Sequence, residues 1–547
     1  MKNRSPFGLK TVCSLHARRR FVVWLTCLIL LAAFTSVRAQ KKNNASRPRK
    51  LPSPEKIVGD YLKATGGKKR QAAIKDATYV WEVQLKGNPT GGAREFVKAP
   101  VSTRLEIEIP EGMDGDGEGI AAVSARSAWR RSRDKGVRTL TGAEADTDRL
   151  AAALDASRLV DYKKLNVLAR TVAFDETVGE PAFVVEFSTK RGARLRYWFG
   201  ATSKLLLKTE DRATGKGKLL GDYRAERDGV LEPHRKVSTP VDQSDTALVL
   251  RSVSYNTGLS DALFDPPAAE EALDIPGLLR EVEANQKEID ERVSNYAFTE
   301  KRTEREINDK GELKKEKVTV HEIYPLPGGG TIYKLISEDG VPLSAERAAK
   351  QDQKIAESVE KYEREREKRE QKKRADESEG KAGKKTDDDD EVGITIFLRA
   401  CEFVSPRRER LRDREAVVFD FRPRPGFKPN GTAESIVSKL NGVAWIDPVD
   451  KTVIRLEAKL AESYKVAGGL VASVRPGSAF VFEQTRMADG VWLPRFMQVN
   501  VALKIFFFKG VEANETREFS DYRRFDTEAS DYKLGEPAAN APAPPNR

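Results

Sequence analysis

The sequence predicts an α+β, β-rich fold: two tandem curved antiparallel sheets, open or half-closed barrels, each with covering helices. Three observations predict it. Short segments rich in β-branched and aromatic residues recur along the chain, helical periodicity is confined to a few stretches, and three sequence elements return in the same order in both halves. At 547 residues the chain exceeds what one hydrophobic core usually serves, so more than one domain is expected.

The first segment, 1–39, reads as a secretory signal: a basic start (Lys2, Arg4, Lys10, Arg18, Arg19, Arg20), an apolar run from Phe21 to Phe34, then Val37-Arg38-Ala39 before Gln40. The run is shorter than the roughly twenty residues a spanning helix needs, so the expectation is export and at most peripheral membrane contact. Cys27 follows Trp24-Leu25-Thr26, which lacks the small residues expected beside a lipid-attached cysteine. Loss of the signal removes seven cations and no anion, lowering the formal net charge from +12 to +5. With both signs interspersed along the chain, nothing marks a nucleic-acid-binding face. Only Cys401 survives cleavage, so no intramolecular disulfide forms and stability rests on packed cores.

Residues 40–50 are basic and almost free of large apolar groups, a flexible leader. Ser53-Pro54 opens a helix over 54–64, with Ile57, Val58, Tyr61 and Leu62 on one face and Gly66-Gly67 as its stop. Strands are expected at Thr78–Leu85, Val101–Ile109, Ser127–Arg131, Ala182–Phe187, Leu195–Phe199 and Leu205–Thr209, interrupted by a helix at Glu144–Leu159. The first β domain closes near Phe264-Asp265-Pro266-Pro267 and covers 51–267. A second domain, 272–527, opens on a helix at Ile275 and continues with strands at Tyr296–Arg305 and Glu316–Tyr324 around an Asn308-Asp309-Lys310-Gly311 turn. It carries a charged insertion at about 345–391: a solvated helical stretch and then an acidic linker with Asp387 to Asp390 in a row. Strands at Gly393–Phe403 and Ala416–Phe421 and a helix at Thr432–Leu440 follow, and 528–547 reads as a disordered tail.

The repeat is the most informative feature. Ala182–Phe187 matches Ala416–Phe421, Trp198–Glu210 aligns without a gap on Trp445–Glu457, and Asp228-Gly229-Val230-Leu231-Glu232-Pro233 matches Asp489-Gly490-Val491-Trp492-Leu493-Pro494. Each half begins with an amphipathic helix, so the repeat unit is a whole domain, duplicated in tandem; the charged insertion has no counterpart in the first half.

On Ile57–Gly67, Ala128-Trp129, the Trp198 hairpin, Asp222-Tyr223-Arg224, the Asp-Gly-Val-x-x-Pro turn and Phe264–Pro267, the first half resembles the outer-membrane lipoprotein-sorting (LolA-like carrier) family. In the second half Trp445-Ile446-Asp447-Pro448 and Asp489–Pro494 resemble it too, with Asp521-Tyr522-Arg523 after that turn and not before it. The resemblance implies a curved sheet with helices over its concave side, and an acyl chain or other apolar group held in the hollow.

Trp81, Trp129, Trp198, Trp445 and Trp492 lie in or beside expected strands and are the candidate cavity-lining residues; core packing is their other reading, since inward-facing aromatics of a curved sheet serve both. His234 and His321 are far apart and His321-Glu322 lacks a second histidine at zinc-hydrolase spacing, so no metal site or cofactor is expected. No Gly-x-Ser-x-Gly elbow occurs, and Gly215-Lys216-Gly217-Lys218 is not followed by Ser or Thr as a phosphate loop requires. No residue is assigned as catalytic. The expectation is a non-enzymatic periplasmic or outer-envelope protein holding a lipid or lipoprotein acyl chain; the alternative is a protein-interaction or envelope-stress sensor of the same fold, its hollow filled by its own side chains.

Overall fold

The computed structural model describes residues 51–524 except 109–117, 134, 227–228, 241–245, 270, 294–295, 308–312, 327–329, 379–393, 467–471, 475–477 and 506–510. The signal, leader, acidic linker and tail, and the turn at Asn308–Gly311, lie outside the described residues.

Helix α1 (Pro54–Ala64) starts where expected: the Ser53 side chain accepts from the Lys56 backbone N–H, and Ile57, Val58 and Leu62 form its buried stripe. A short helix not foreseen, α2 (Lys68–Ala73), follows. Strands β1 (Asp76–Leu85), β2 (Asn88–Lys98), β3 (Ser102–Ile107), β4 (Glu118–Val123), β5 (Ala128–Ser132) and β6 (Gly136–Thr139) lead to α3 (Gly142–Ala156). Then come β7 (Leu168–Asp175), β8 (Ala182–Ser188), β9 (Arg194–Gly200), β10 (Leu206–Asp211), β11 (Gly217–Ala225), β12 (Leu231–Thr239) and β13 (Thr246–Tyr255). All thirteen make one open antiparallel sheet in the order β6-β5-β4-β3-β2-β1-β13-β12-β11-β10-β9-β8-β7.

The second half has α4 (Ile275–Val293), β14 (Tyr296–Ile307), β15 (Leu313–Leu326), β16 (Gly330–Glu338), β17 (Val341–Pro342), α5 (Ala345–Ser378), α6 (Ile394–Ala400), β18 (Cys401–Leu411), β19 (Arg414–Pro423) and α7 (Thr432–Val437). β20 (Leu440–Asp447), β21 (Thr452–Leu460), β22 (Tyr464–Val466), β23 (Ala472–Val474), β24 (Ala479–Arg486), β25 (Trp492–Ile505) and β26 (Val511–Arg524) complete it. Its order is β17-β16-β15-β14-β26-β25-β24-β21-β20-β19-β18, with the β22–β23 pair set against β25.

The two orders superimpose strand for strand, β1 on β14, β13 on β26, β7 on β18. Each repeated element falls in the same place. Ala182–Phe187 and Ala416–Phe421 are β8 and β19, the tryptophan hairpins are β9–β10 and β20–β21, and Gly229 and Gly490 take positive φ (71° and 86°) in the turns before β12 and β25. The duplication is thus a duplication of topology. Two differences stand out. β5–β6 has no equivalent in the second sheet, and α5 occupies the chain interval that α3 fills in the first half, although it packs differently, with Ile355, Val359 and Tyr362 against Tyr324, Leu326 and Ile332.

The strand expected at Gly393–Phe403 is corrected: Ile394–Ala400 is helical and the strand begins at Cys401. Tertiary contact decides it, because Ile396, Phe397 and Ala400 pack with Phe421 and Val437 while Leu398 joins the cluster under α4. β2 went unseen because Asn88-Pro89-Thr90-Gly91-Gly92 carries the residues of a turn, yet it pairs along the length of β1.

The halves meet at the β5–β6 hairpin. Glu409 of β18 accepts from the Thr139 backbone N–H (2.8 Å) and hydroxyl (2.6 Å), and Asp420 of β19 accepts from the Ser127 hydroxyl (2.7 Å). Arg407, 3% exposed at its side chain, bridges Glu409 (2.6 Å) and Asp420 (3.0 Å) and donates to Thr139 Oγ1 at 2.6 Å. Arg149 of α3 reaches Glu457 at 3.7 Å on the same outer face of the second sheet.

Candidate functional site

A curved sheet offers its concave face as a hollow, and cross-strand register shows which residues share that face. In the first half it is closed. Ile57, Val58 and Leu62 of α1 and Leu150, Ala153 and Leu154 of α3 pack onto Val185, Phe187, Leu195, Tyr197 and Phe199. Further along, Tyr79, Trp81, Ala93, Val97 and Leu250 pack with Ala156 of α3.

A polar band crosses this filled face. Lys236 pairs with Glu95 at 2.8 Å and sits 4.4 Å over the Trp81 ring, whose Nε1 donates to Glu95 at 3.1 Å. Arg158 donates to Glu232 (2.6 Å) and to the Tyr79 hydroxyl (2.8 Å), and the Tyr255 hydroxyl donates to Glu232 at 2.8 Å. Burial works against the Glu95 carboxylate, but Lys236 and Lys218 beside it hold its pKa below the ordinary value. Burial pushes Asp155 the other way, above the ordinary value, despite the same two lysines. A depressed folded-state pKa gives stability that is present above the unfolded pKa of about 4.3 and lost as pH falls through the folded value. Glu95→Gln therefore flattens the acid limb of a denaturant-midpoint-against-pH curve below about pH 5; an unchanged limb rejects this role.

In the second half the register walk Phe419–Ala444–Leu456–Phe482–Met497–Arg517–Arg302 stays on one face. At the Phe419 end, Ile275, Leu279 and Val282 of α4 fill it as α1 fills the first. The far end, β14 to β16 with β26, is more open. Phe298, Ile323 and Tyr333 stand opposite one another across three strands, Phe298 contacts Phe519 and Tyr522 at 5.9 and 5.3 Å, and Tyr333 is 49% exposed. Between the two ends lies an ionic group around the buried Glu300: half-buried Arg302 donates to Glu300 at 2.7 Å, with Arg517 at 3.5 Å. Two cations and the carboxylates Glu300 and Glu515 leave it locally neutral. His321 stands opposite Glu300; its Nδ1 is buried without a hydrogen-bond partner, and burial together with Arg302 lowers its pKa. The signal for this face was the Phe298, Glu300, Arg302 alternation on an expected strand, which polarity masked as an outer surface.

All five tryptophans are buried, and of them the structure brings together Trp445 and Trp492 alone. Trp81 is on the helix-covered face. Trp198 clusters with Ala182 and Val184, and Trp445 and Trp492 with Ala416 and Val418, on faces turned away from α1 and α4. Trp129 follows Ala128, which packs under α3, and donates to the Phe264 carbonyl at 3.0 Å on the other side. Trp198 and Trp445 carry a repeated device, a cation from the paired strand over the ring: Lys208 at 4.5 Å and Arg455 at 5.9 Å. His234 is held by Glu226 (2.9 Å) and the Glu232 carbonyl (3.1 Å). A cleft of about 370 Å³ lies at the edge of the first hollow, between Leu51–Glu55 and Ala169–Thr171.

No family model matches the chain, and no curated protein matches it. Solved structures similar to it include a DUF1329 family protein from Desulfovibrio piger, 16% identical with a TM-score of 0.28, covering 39% of this chain and 98% of that one. An outer membrane lipoprotein-sorting protein domain from Vibrio parahaemolyticus is 15% identical, TM-score 0.27, covering 38% and 97%. A LolA superfamily protein from Nitrosomonas europaea is 13% identical, TM-score 0.27, covering 40% and 99%. The structural neighbours of this chain thus include LolA-superfamily and lipoprotein-sorting domains, each matched over nearly its whole length by about two-fifths of the chain.

Proposed function

We propose that this chain is a non-enzymatic binding protein of the bacterial envelope, in which the first half is a self-filled scaffold and the second half holds an apolar ligand, an acyl chain or a similar group. The observation that carries the reading is the contrast between the two concave faces. The first is packed by its own helices along its length, whereas the second leaves Tyr333 half-exposed over the part-buried Phe298 and the buried Ile323. An acyl chain laid there gains about 0.8 kcal/mol per methylene buried, so roughly ten carbons outweigh the cost of ordering. Trp81 is then the one tryptophan on a concave face, and the neutral ionic group at Glu300 sets the depth to which an apolar chain enters.

The filled first hollow also favours a second reading, in which that half takes a protein partner on its surface. Native mass spectrometry of the mature protein purified from envelope extracts, with organic extraction of bound material, separates them. A stoichiometric lipid that is lost in Tyr333→Glu, by tenfold or more in occupancy, and kept in Trp81→Phe supports the apolar-ligand reading. An empty protein with a stoichiometric co-purifying polypeptide rejects it.

A further inference from the structure

Arg455, Glu457 and Lys459 stand at alternate positions of β21, so their side chains share the outer face of the second sheet. Glu457 meets Arg455 at 2.8 Å and, across the junction, Arg149 of α3 at 3.7 Å. Asp146, one turn before Arg149, meets it at 3.4 Å and meets Arg191 of the β8–β9 turn at 3.2 Å. Glu483, opposite Arg455 on β24, holds Arg455, Arg412 and Arg495 together. With Lys459 beside Arg149 and Arg191, six cations gather around three carboxylates. The first half repeats the stripe as Lys208, Glu210 and Arg212, but leaves Arg212 exposed. The second half takes the same basic position into the junction, where α3 and the β8–β9 turn add two arginines to it.

These cations are not all satisfied. Nε of Arg149 is buried without a hydrogen-bond partner, and so is Nε of Arg191, which lies near Asp146 but out of line with it. Burial and the neighbouring Arg149 and Arg191 hold the Lys459 amine far below the ordinary lysine range, with Glu457 and Asp146 opposing them. Burial, Arg495 and Arg455 likewise lower Arg412 at the other end of the group. Like charges this close destabilise one another, and a buried guanidinium donor left unpaired adds to the cost.

We propose that Lys459, Arg149 and Arg191 bind a phosphate group at the junction of the two halves. Guanidinium forks and an ammonium suit a tetrahedral oxyanion, whose oxygens accept from several directions. Its charge of about −1.5 to −2 offsets most of the surplus, where a carboxylate brings a single charge in one plane. The site lies on the outer face of the second sheet, whereas Tyr333 stands on the inner one, so it does not rest on the ligand reading above.

The test is isothermal titration of the mature full-length chain with inorganic phosphate, against chloride at the same ionic strength. One phosphate site is expected, and phosphate raises the urea midpoint over the same concentration range. K459M weakens phosphate binding at least about tenfold, and its midpoint in chloride stays level or rises because a crowded cation is gone. A merely structural lysine would lower that midpoint instead. R191Q, in a turn, weakens binding in the same direction, while K315Q, on the exposed part of β15, leaves it within a factor of about two. Glycerol 3-phosphate and phosphatidylglycerol vesicles distinguish the source: K459M-sensitive titration by the first assigns a soluble phosphate, and K459M-sensitive sedimentation with the second assigns a lipid headgroup. No response beyond that of chloride from any of these probes, or full binding in K459M and R191Q, overturns the proposal.

Discussion

Arg407→Met is expected to destabilise the protein by about 3–5 kcal/mol, because it strands Glu409 and Asp420 without their cation inside the junction of the two halves. Their side chains are 3% and 0% exposed, and Arg126, the nearest remaining cation, is 3.9 Å from Asp420 and already paired with Asp265. Neutral donors, Ser127 and Thr139, do not compensate two buried charges. Urea unfolding measures the loss, and limited proteolysis within 265–274 reports whether the halves separate. R407M/E409Q/D420N removes the charges together and recovers most of the stability, as replacement of whole buried ion groups usually does. A loss under 1 kcal/mol in the single variant means that the junction is hydrated and the pairing incidental.

The second large effect is at Gly442. A Cβ there would lie 1.8 Å from the Glu457 carbonyl oxygen and 2.7 Å from Cζ of Phe421. The carbonyl belongs to the β20–β21 ladder and has no room to withdraw, and Phe421 is fixed by Phe397 at 4.7 Å and by α7. Gly442→Ala is expected to cost about 3 kcal/mol through overpacking. Gly221→Ala, also in a strand but with no atom within 4 Å of the new carbon, is the control. It is expected to be neutral or stabilising by up to about 1 kcal/mol. Similar midpoints for the two variants refute the close approach at Gly442.

The parts of this fold that were legible were those whose local chemistry agrees with their tertiary setting. Ser53-Pro54 gives α1 because capping and proline geometry act within one turn, and β8, β9, β19 and β20 show because both their faces are buried and their sequences are accordingly apolar. Their repetition made the duplication visible. The candidate site was less legible for the same reason reversed: Glu300 is buried on a concave face, with Arg302 and Arg517 half-buried beside it, in sequences that read as solvated because acid and base alternate two residues apart and pair along their own strands, Glu300 with Arg302 and Glu515 with Arg517. The tryptophans misdirect in the opposite sense. Their size marks burial, but Trp198, Trp445 and Trp492 are buried on the outer side, where a cation of the same half lies over each ring.

The strand order has a consequence in time. In both sheets the first strand is closed by the last, β1 by β13 and β14 by β26, with Val83 opposite Leu248 and Glu300 opposite Phe519. With the N-terminus emerging first, β1 waits for its partner until the whole of the intervening chain has followed it. During that interval the centre of the sheet is an open edge, and contacts this distant in sequence form slowly even once the chain is complete. The first half completes its own sheet well before β26 exists. A finished first half then presents Ser127 and Thr139 to strands still arriving, so assembly of the second sheet proceeds against a surface already in place.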